Sequence, residues 1–129
     1  MRGLYLITND DPLEVLLAKL EGAFANGGIA VLQYRRKKVT KEDQIYEVEY
    51  MKALCAEYAV PFVINDDLEM AVKYGVGVHL GQDDGSIADA AAQLPQGVLI
   101  GCSCNNSLEL AEQAIADGAN YVAFGAIYA

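Results

Sequence analysis

Residues 62–84 read FVINDDLEMAVKYGVGVHLGQDD, and the order of chemistries within them decides the fold. An apolar run at 62–64 ends in Asn65, Asp66 and Asp67. A helix-like segment follows and closes on Gly75. A second apolar run at 76–80 then ends in Gly81, Gln82, Asp83 and Asp84. Near-continuous apolar runs of this length suit parallel strands buried on both faces. The pattern recurs outward in both directions. ANGGIAVLQ (25–33), KYGVGVHLG (73–81) and DGANYVAFG (117–125) each pass from a helix end through Gly into a buried strand. Repetition of this kind indicates βα units.

Six strand-like runs are expected in all, at 4–7, 29–34, 62–64, 76–80, 98–100 and 121–124. The segments between them carry helical periodicity. Leu13, Leu16, Leu17, Leu20 and Phe24 recur at spacings of three and four, as do Ile45, Val48, Met51, Leu54, Cys55 and Tyr58. Thr40 with Asp43 and Ser86 with Asp89 read as N-cap pairs. Asn106 or Ser107 is expected to cap the last helix, which carries Leu108, Ala111 and Ile115. Gly27, Gly75, Gly97 and Gly118 stand where a helix end wants a left-handed residue. The expectation is an α/β chain with one domain over residues 1–129. It corresponds to the N-terminal three-quarters of a TIM-type (β/α)8 barrel, incomplete at about six strands and five helices. A closed barrel usually takes roughly 200 residues or more. The first and last strands would then be open edges, which makes a homo-oligomer an expectation as well.

Just over half of the 129 residues are apolar, 53%, which argues against disorder. No apolar run approaches the ~18–20 residues of a membrane span. The N-terminus lacks the apolar stretch and cleavage site of a signal peptide, so a cytoplasmic protein is expected. A net charge of −9 disfavours nucleic acid, which binds cationic surfaces. Cys55, Cys102 and Cys104 show no CxxC spacing, and the last two read as small core residues. Against this acidic background, Arg35, Arg36, Lys37, Lys38 and Lys41 supply five of the nine basic side chains within seven positions. A solvated loop and an anion site are the two readings of that cluster.

The polar residues collect at the C-terminal ends of the expected strands, where barrels of this class build their sites. Thr8, Asn9, Asp10 and Asp11 follow the first strand. Gln33, Arg35, Arg36 and Lys37 stand at the end of the second. Asn65, Asp66 and Asp67 follow the third; Gly81, Gln82, Asp83 and Asp84 the fourth; Ser103 the fifth. Cations beside several carboxylates are reconciled by a metal–diphosphate ligand. Mg²⁺ takes one or two carboxylates together with phosphate oxygens, and Arg and Lys take the remaining phosphate charge. The plainer reading gives one Asp of each pair to capping the next helix. His79, inside the fourth run, reads as a satisfied core residue rather than a catalyst; Tyr5 either lines the barrel mouth or fills the core, and the core is the favoured reading.

LYLITND (4–10), QYRRK (33–37), FVINDDLEMA (62–71), GVHLGQDD (77–84), IGCS (100–103) and GANYVAFGAIY (118–128) together resemble the thiamine phosphate synthase family. The resemblance implies a transferase that couples an aminopyrimidine diphosphate to a thiazole phosphate, with Mg²⁺ as cofactor and small molecules as its partners. By position it implies that Gln33 contacts the pyrimidine. Arg35 and Lys37 would act in catalysis by holding the pyrophosphate, with Asn65 beside them. Tyr34 and Arg36 fall in the same substrate-binding run. Asp66 and Asp84 would be the metal ligands, and Ser103 would hydrogen-bond the pyrimidine or its leaving group. The implied mechanism is dissociative: the C–O bond to pyrophosphate breaks, and the thiazole nitrogen adds to a pyrimidine-stabilised cation. The family continues past a sixth strand with a Thr-rich loop, a Lys and two further strands that bind the thiazole phosphate. This chain keeps the pyrimidine–metal half of that arrangement. Two alternatives are a thiazole tautomerase, whose His would fall at Asn105, and a non-catalytic phosphate-binding domain.

Overall fold

A computed structural model describes residues 3–81, 86–104 and 107–123. Strands and helices alternate throughout: β1 (Leu4–Ile7), α1 (Leu13–Asn26), β2 (Ile29–Tyr34), α2 (Lys41–Glu57), β3 (Phe62–Asn65), α3 (Leu68–Tyr74), β4 (Gly77–Leu80), α4 (Ile87–Gln93), β5 (Ile100–Ser103), α5 (Leu108–Ala116) and β6 (Tyr121–Ala123). β1 pairs with β2, β3 with β4, β4 with β5 and β5 with β6, every pair parallel. The fold is α/β of the (β/α)8-barrel class, incomplete, with six strands and five helices among the described residues. The chain divides into two compact units, Met1–Phe62 and Val63–Ala129. No helix among the described residues is long and apolar enough to cross a membrane.

In the first unit, α1 buries Leu16, Leu20 and Phe24, a stripe at a spacing of four that gives one helix face to the core. Its C-cap, Gly27, sits at φ 79°, a region that costs a residue with a Cβ but not glycine. α2 starts at Thr40, whose hydroxyl accepts from the Asp43 amide at 3.1 Å. It buries Val48, Met51, Leu54 and Cys55 together with Glu47. Tyr58, expected on that apolar stripe, is exposed and meets Phe24 edge-on, with ring centroids 5.5 Å apart. Val31 and Leu32 of β2 are fully buried. Burial pushes the Cys55 thiol up to about 12, so it is an inert core residue.

In the second unit, the strands are aligned in rows. Ile64, Val78 and Ile100 are register partners, and so are Asn65, His79, Gly101 and Tyr121 in the next row. Val63, Ile64, Val78, Leu80, Cys102 and Cys104 are buried. All three cysteines are free, and the last two are the small core residues expected of them. Ser86 caps α4 and Ser107 caps α5; Asn106, the other candidate, lies outside the described residues. α5 differs from expectation in its face. It buries Ala111 and Ala114, while Leu108 and Ile115 are exposed.

Three strands also differ in their bounds. β3 runs on to Asn65, β4 begins at Gly77, and β5 spans Ile100–Ser103 rather than 98–100. Hydrophobicity marks where β5 enters the core, not where its ladder runs: the Leu99 carbonyl already accepts from the Val78 amide at 3.0 Å. The ladder then carries on through the small residues Gly101, Cys102 and Ser103. Phe124, expected at the end of β6, lies outside the described residues. Gly77, the first residue of β4, has no room for a side chain. A Cβ there would collide with the Leu99 carbonyl oxygen and lie 2.7 Å from Val63 Cγ1. Gly77→Ala is therefore expected to destabilise the protein by about 1–3 kcal/mol, the cost of overpacking, as read by urea unfolding. Stability within error of wild type would contradict that packing.

Candidate functional site

The first unit brings the ends of β1 and β2 together through backbone bonds. The Thr8 amide donates to the Gln33 carbonyl at 3.0 Å. Its hydroxyl donates to the Arg35 carbonyl at 3.0 Å and accepts from the Arg35 amide at 2.7 Å. Beyond it, one Asp10 carboxylate oxygen accepts from the amides of Lys37 (2.8 Å) and Lys38 (3.1 Å). The Lys38 bond is the main cause that holds the Asp10 carboxyl below its ordinary value of 3.8. Asp11 is held low chiefly by its 2.8 Å ion pair with Lys19. So Thr8 and Asp10, on one loop, shape the backbone that carries Arg35 and Lys37.

Successive strand side chains point to opposite faces, and β2 uses both. Gln33 is buried and donates to the Tyr5 hydroxyl at 2.9 Å, which makes Tyr5 more than the core filler expected. Tyr34 points the other way. It is buried, and its hydroxyl donates to Glu47 at 2.7 Å. Arg36 follows Tyr34 to that face. Its Nε and Nη2 reach the two Glu47 oxygens at 3.0 and 3.1 Å. Its Nη1 donates to the carbonyls of Asn9 and Asp11. Both side chains of this ion pair are under 5% exposed, 4% and 3%. Arg36 is thus committed to protein acceptors and fastens α2 to the β1–α1 loop, while Arg35 and Lys37 are exposed. The Glu47 bond holds the Arg36 guanidinium above its ordinary value, and burial raises the Tyr34 phenol.

Sequence reasoning passed over Glu47. Its signal was positional: it stands four residues before Met51 and one before Val48, on the stripe of α2 that faces the core. An acid in that place needs a buried cation.

In the second unit, the two aspartates after β3 have different duties. Asp67 is the N-cap of α3 and accepts from the Met70 amide at 3.0 Å. Asp66 does no capping there. It is exposed, sits at the left-handed φ of 66° and donates its amide to the His79 carbonyl at 2.8 Å. Such a φ is uncommon outside glycine and best tolerated by Asn and Asp. Asn65, half-buried, ends β3. Asp84, with Gln82 and Asp83, lies outside the described residues, as does Asn105. Among the described residues, no three His, Cys, Asp or Glu side chains cluster to hold a metal. The Asp66 carboxylate supplies hard oxygens of the kind Mg²⁺ takes beside a ligand's phosphate.

Ser103 ends β5 half-buried. Its Oγ lies 2.7 Å from His79 Nε2, and His79 Nδ1 lies 2.9 Å from the Tyr121 hydroxyl. The His79 and Tyr121 rings stack, 5.6 Å apart and 30° from parallel. His79 is buried and satisfied, as expected of a core histidine, but one of its partners is a candidate site residue. Sequence reasoning did not single out Tyr121, which stands 42 residues from His79 and meets it only through the register of β4, β5 and β6.

Two outcomes test the first unit's geometry. Glu47→Gln leaves Arg36 buried without its counter-charge and is expected to cost about 3–5 kcal/mol in urea unfolding, with part recovered by R36M/E47L, which removes both charges. A cost under 1 kcal/mol would contradict the burial of the pair. For Asp10 the folded value is lowered, so its contact is intact above pH 3.8 and is lost as pH falls through the lowered value. The Lys37 and Lys38 amide resonances should titrate with a midpoint below 3.8; a midpoint above it would contradict the two bonds.

The chain matches the family described as thiamine monophosphate synthase over residues 4–129. Among solved structures it is similar to a thiamine phosphate pyrophosphorylase from Pyrococcus furiosus, with 30% identity and a TM-score of 0.79. The match covers 98% of this chain and 61% of that one, so this chain spans under two thirds of that relative's length. With parallel βα units, and polar residues at the ends of their strands, the chain belongs to the thiamine monophosphate synthase family.

Proposed function

We propose that the protein works as a thiamine phosphate synthase, coupling an aminopyrimidine diphosphate to a thiazole phosphate with release of pyrophosphate. The observation that carries this reading is the split within the cationic run. Arg36 is spent on Glu47 and loop carbonyls, while Arg35 and Lys37 stay exposed on a backbone held by Thr8 and Asp10. An acidic protein that fixes two exposed cations in this way has the means to hold a polyanion. In this reading Arg35 and Lys37, with Asn65, take the diphosphate oxygens. Gln33 and Ser103 orient the pyrimidine. Asp66 and Asp84 would hold Mg²⁺, which when bound neutralises charge on the departing pyrophosphate.

The chemistry asks little else of these side chains. Ionisation of the C–O bond needs no nucleophile or strong base from the protein. It needs charge stabilisation at the leaving group, and rings held in line and shielded from water. Small-molecule partners and a cytoplasmic setting go with this reading, and a net charge of −9 suits neither nucleic acid nor an anionic membrane surface. The test is calorimetric titration of the aminopyrimidine diphosphate into this chain with and without Mg²⁺. Binding should depend on magnesium, and Asp66→Asn should weaken it by about 1–3 kcal/mol, the range for a charged hydrogen-bonding group. Magnesium dependence unchanged in that variant would overturn the metal assignment, and absence of binding by the cooperatively folded chain would overturn the reading itself.

A further inference from the structure

We propose that α2 sets the geometry of the anion site, with Gln44 and Glu47 as positioning residues that aim the Arg35 and Lys37 side chains. Both act through Arg36 and not on the ligand. The inference rests on the reading of Arg35 and Lys37 as diphosphate contacts and deepens it, by naming what holds the two cations in place.

The peptide unit between Arg36 and Lys37 is held at both of its polar ends. Gln44 Nε2 donates to the Arg36 carbonyl at 3.2 Å. The Lys37 amide of the same unit donates to Asp10 Oδ1 at 2.8 Å. A peptide unit is planar, so these two contacts fix its orientation. The direction in which the next Cα carries the Lys37 side chain follows from it. The neighbouring units are held as well. Thr8 Oγ1 meets the Arg35 amide at 2.7 Å and the Arg35 carbonyl at 3.0 Å, and the Lys38 amide donates to Asp10 Oδ1 at 3.1 Å.

Glu47 closes the circuit. It takes Arg36 Nε and Nη2 on its two oxygens at 3.0 and 3.1 Å. In that pose Arg36 Nη1 reaches the carbonyls of Asn9 and Asp11, the residues on either side of Asp10. The Arg36 side chain thus steadies the loop whose carboxylate holds the backbone just beyond Arg36. Gln44 and Glu47 stand three residues apart on α2 and share a face, so one helix grips Arg36 by its carbonyl and by its guanidinium. Arg35 and Lys37 stay exposed, and neither is drawn into an ion pair among the described residues. Two like charges so close repel each other, and long cationic side chains are costly to order on binding. A backbone fixed beforehand lowers that cost.

Inorganic pyrophosphate, titrated by calorimetry without added metal, is the probe, because it asks for the cations and for no pyrimidine contact. Gln44→Leu keeps the size of the side chain and removes the donor. It should weaken pyrophosphate binding roughly five- to tenfold, about one hydrogen bond, yet cost little in a Lys37→Ala background. R36M/E47L, which regains part of the stability that Glu47→Gln loses, should still bind pyrophosphate about tenfold more weakly than wild type. Backbone ¹⁵N order parameters of the free protein give a further readout. Those of Lys37 and Lys38 should fall in Gln44→Leu from the ~0.85 of rigid chain toward the ~0.6 of flexible chain. Equal losses with and without Lys37, wild-type affinity in R36M/E47L, or order parameters that Gln44→Leu leaves unchanged would each overturn the inference. So would a cooperatively folded wild type that binds no pyrophosphate. Pyrophosphate binding in the expected pattern, by a chain that does not take the aminopyrimidine diphosphate, would sink the functional reading alone.

Discussion

The first unit depends on a charge that cannot stay buried alone. Arg36 and Glu47 lie together at 3–4% exposure, where an unpaired ion would cost several kcal/mol. The pair is also fully dressed. Tyr34 donates to the same carboxylate, and the remaining guanidinium nitrogen reaches two loop carbonyls. One ionic contact thereby joins three elements: the end of β2, the middle of α2 and the loop after β1. A buried salt bridge is often a poor source of stability compared with apolar packing. Its value here is geometric, because the loop it pins carries Asp10, and Asp10 holds the Lys37 and Lys38 amides.

The second unit is organised by space instead of charge. Gly101 gives up a side chain in the middle of a buried row, and Tyr121 occupies the gap. That exchange lets a polar atom of β6 reach across β5 to His79 on β4. Asp66 is held in a comparable way. It accepts a left-handed backbone while its neighbour Asp67 takes over the capping of α3. Adjacent aspartates of the same chemical type are thus separated by conformation, one facing the helix end and one exposed to solvent.

The fold was legible because its signal is collective. Every described strand overlaps an apolar run, β5 by one residue, and Thr40, Ser86 and Ser107 cap where their spacing to the first helical turn says they should. Strand ends were less legible. The ladder of β5 continues through Gly101, Cys102 and Ser103, which carry little hydrophobic signal. The candidate site residues stand out in the sequence as a set, because polar residues gather at successive strand ends of an otherwise apolar chain. Their individual duties do not. Arg35, Arg36 and Lys37 are chemically alike in sequence, and only the position of Glu47 on the buried stripe of α2 separates them. His79 and Tyr121 are 42 residues apart, and a spacing of that length carries no local pattern.

What sorts these residues in the end is parity along the strand. At the end of β2, Tyr34 and Arg36 turn toward α2 and serve the fold, while Gln33 takes the opposite face. In β5, Cys102 is buried and its alternates Gly101 and Ser103 share the face that meets Tyr121 and His79. Alternation puts residues two apart on one face of a strand, so Tyr34 turns away from Gln33 and toward α2. Arg36, just past the end of β2, joins Tyr34 on Glu47. The two residues that alternate with Gln33, Arg35 and Lys37 in QxRxK are therefore the ones that anchor this segment to α2, and a change at either would loosen the backbone on both sides of it.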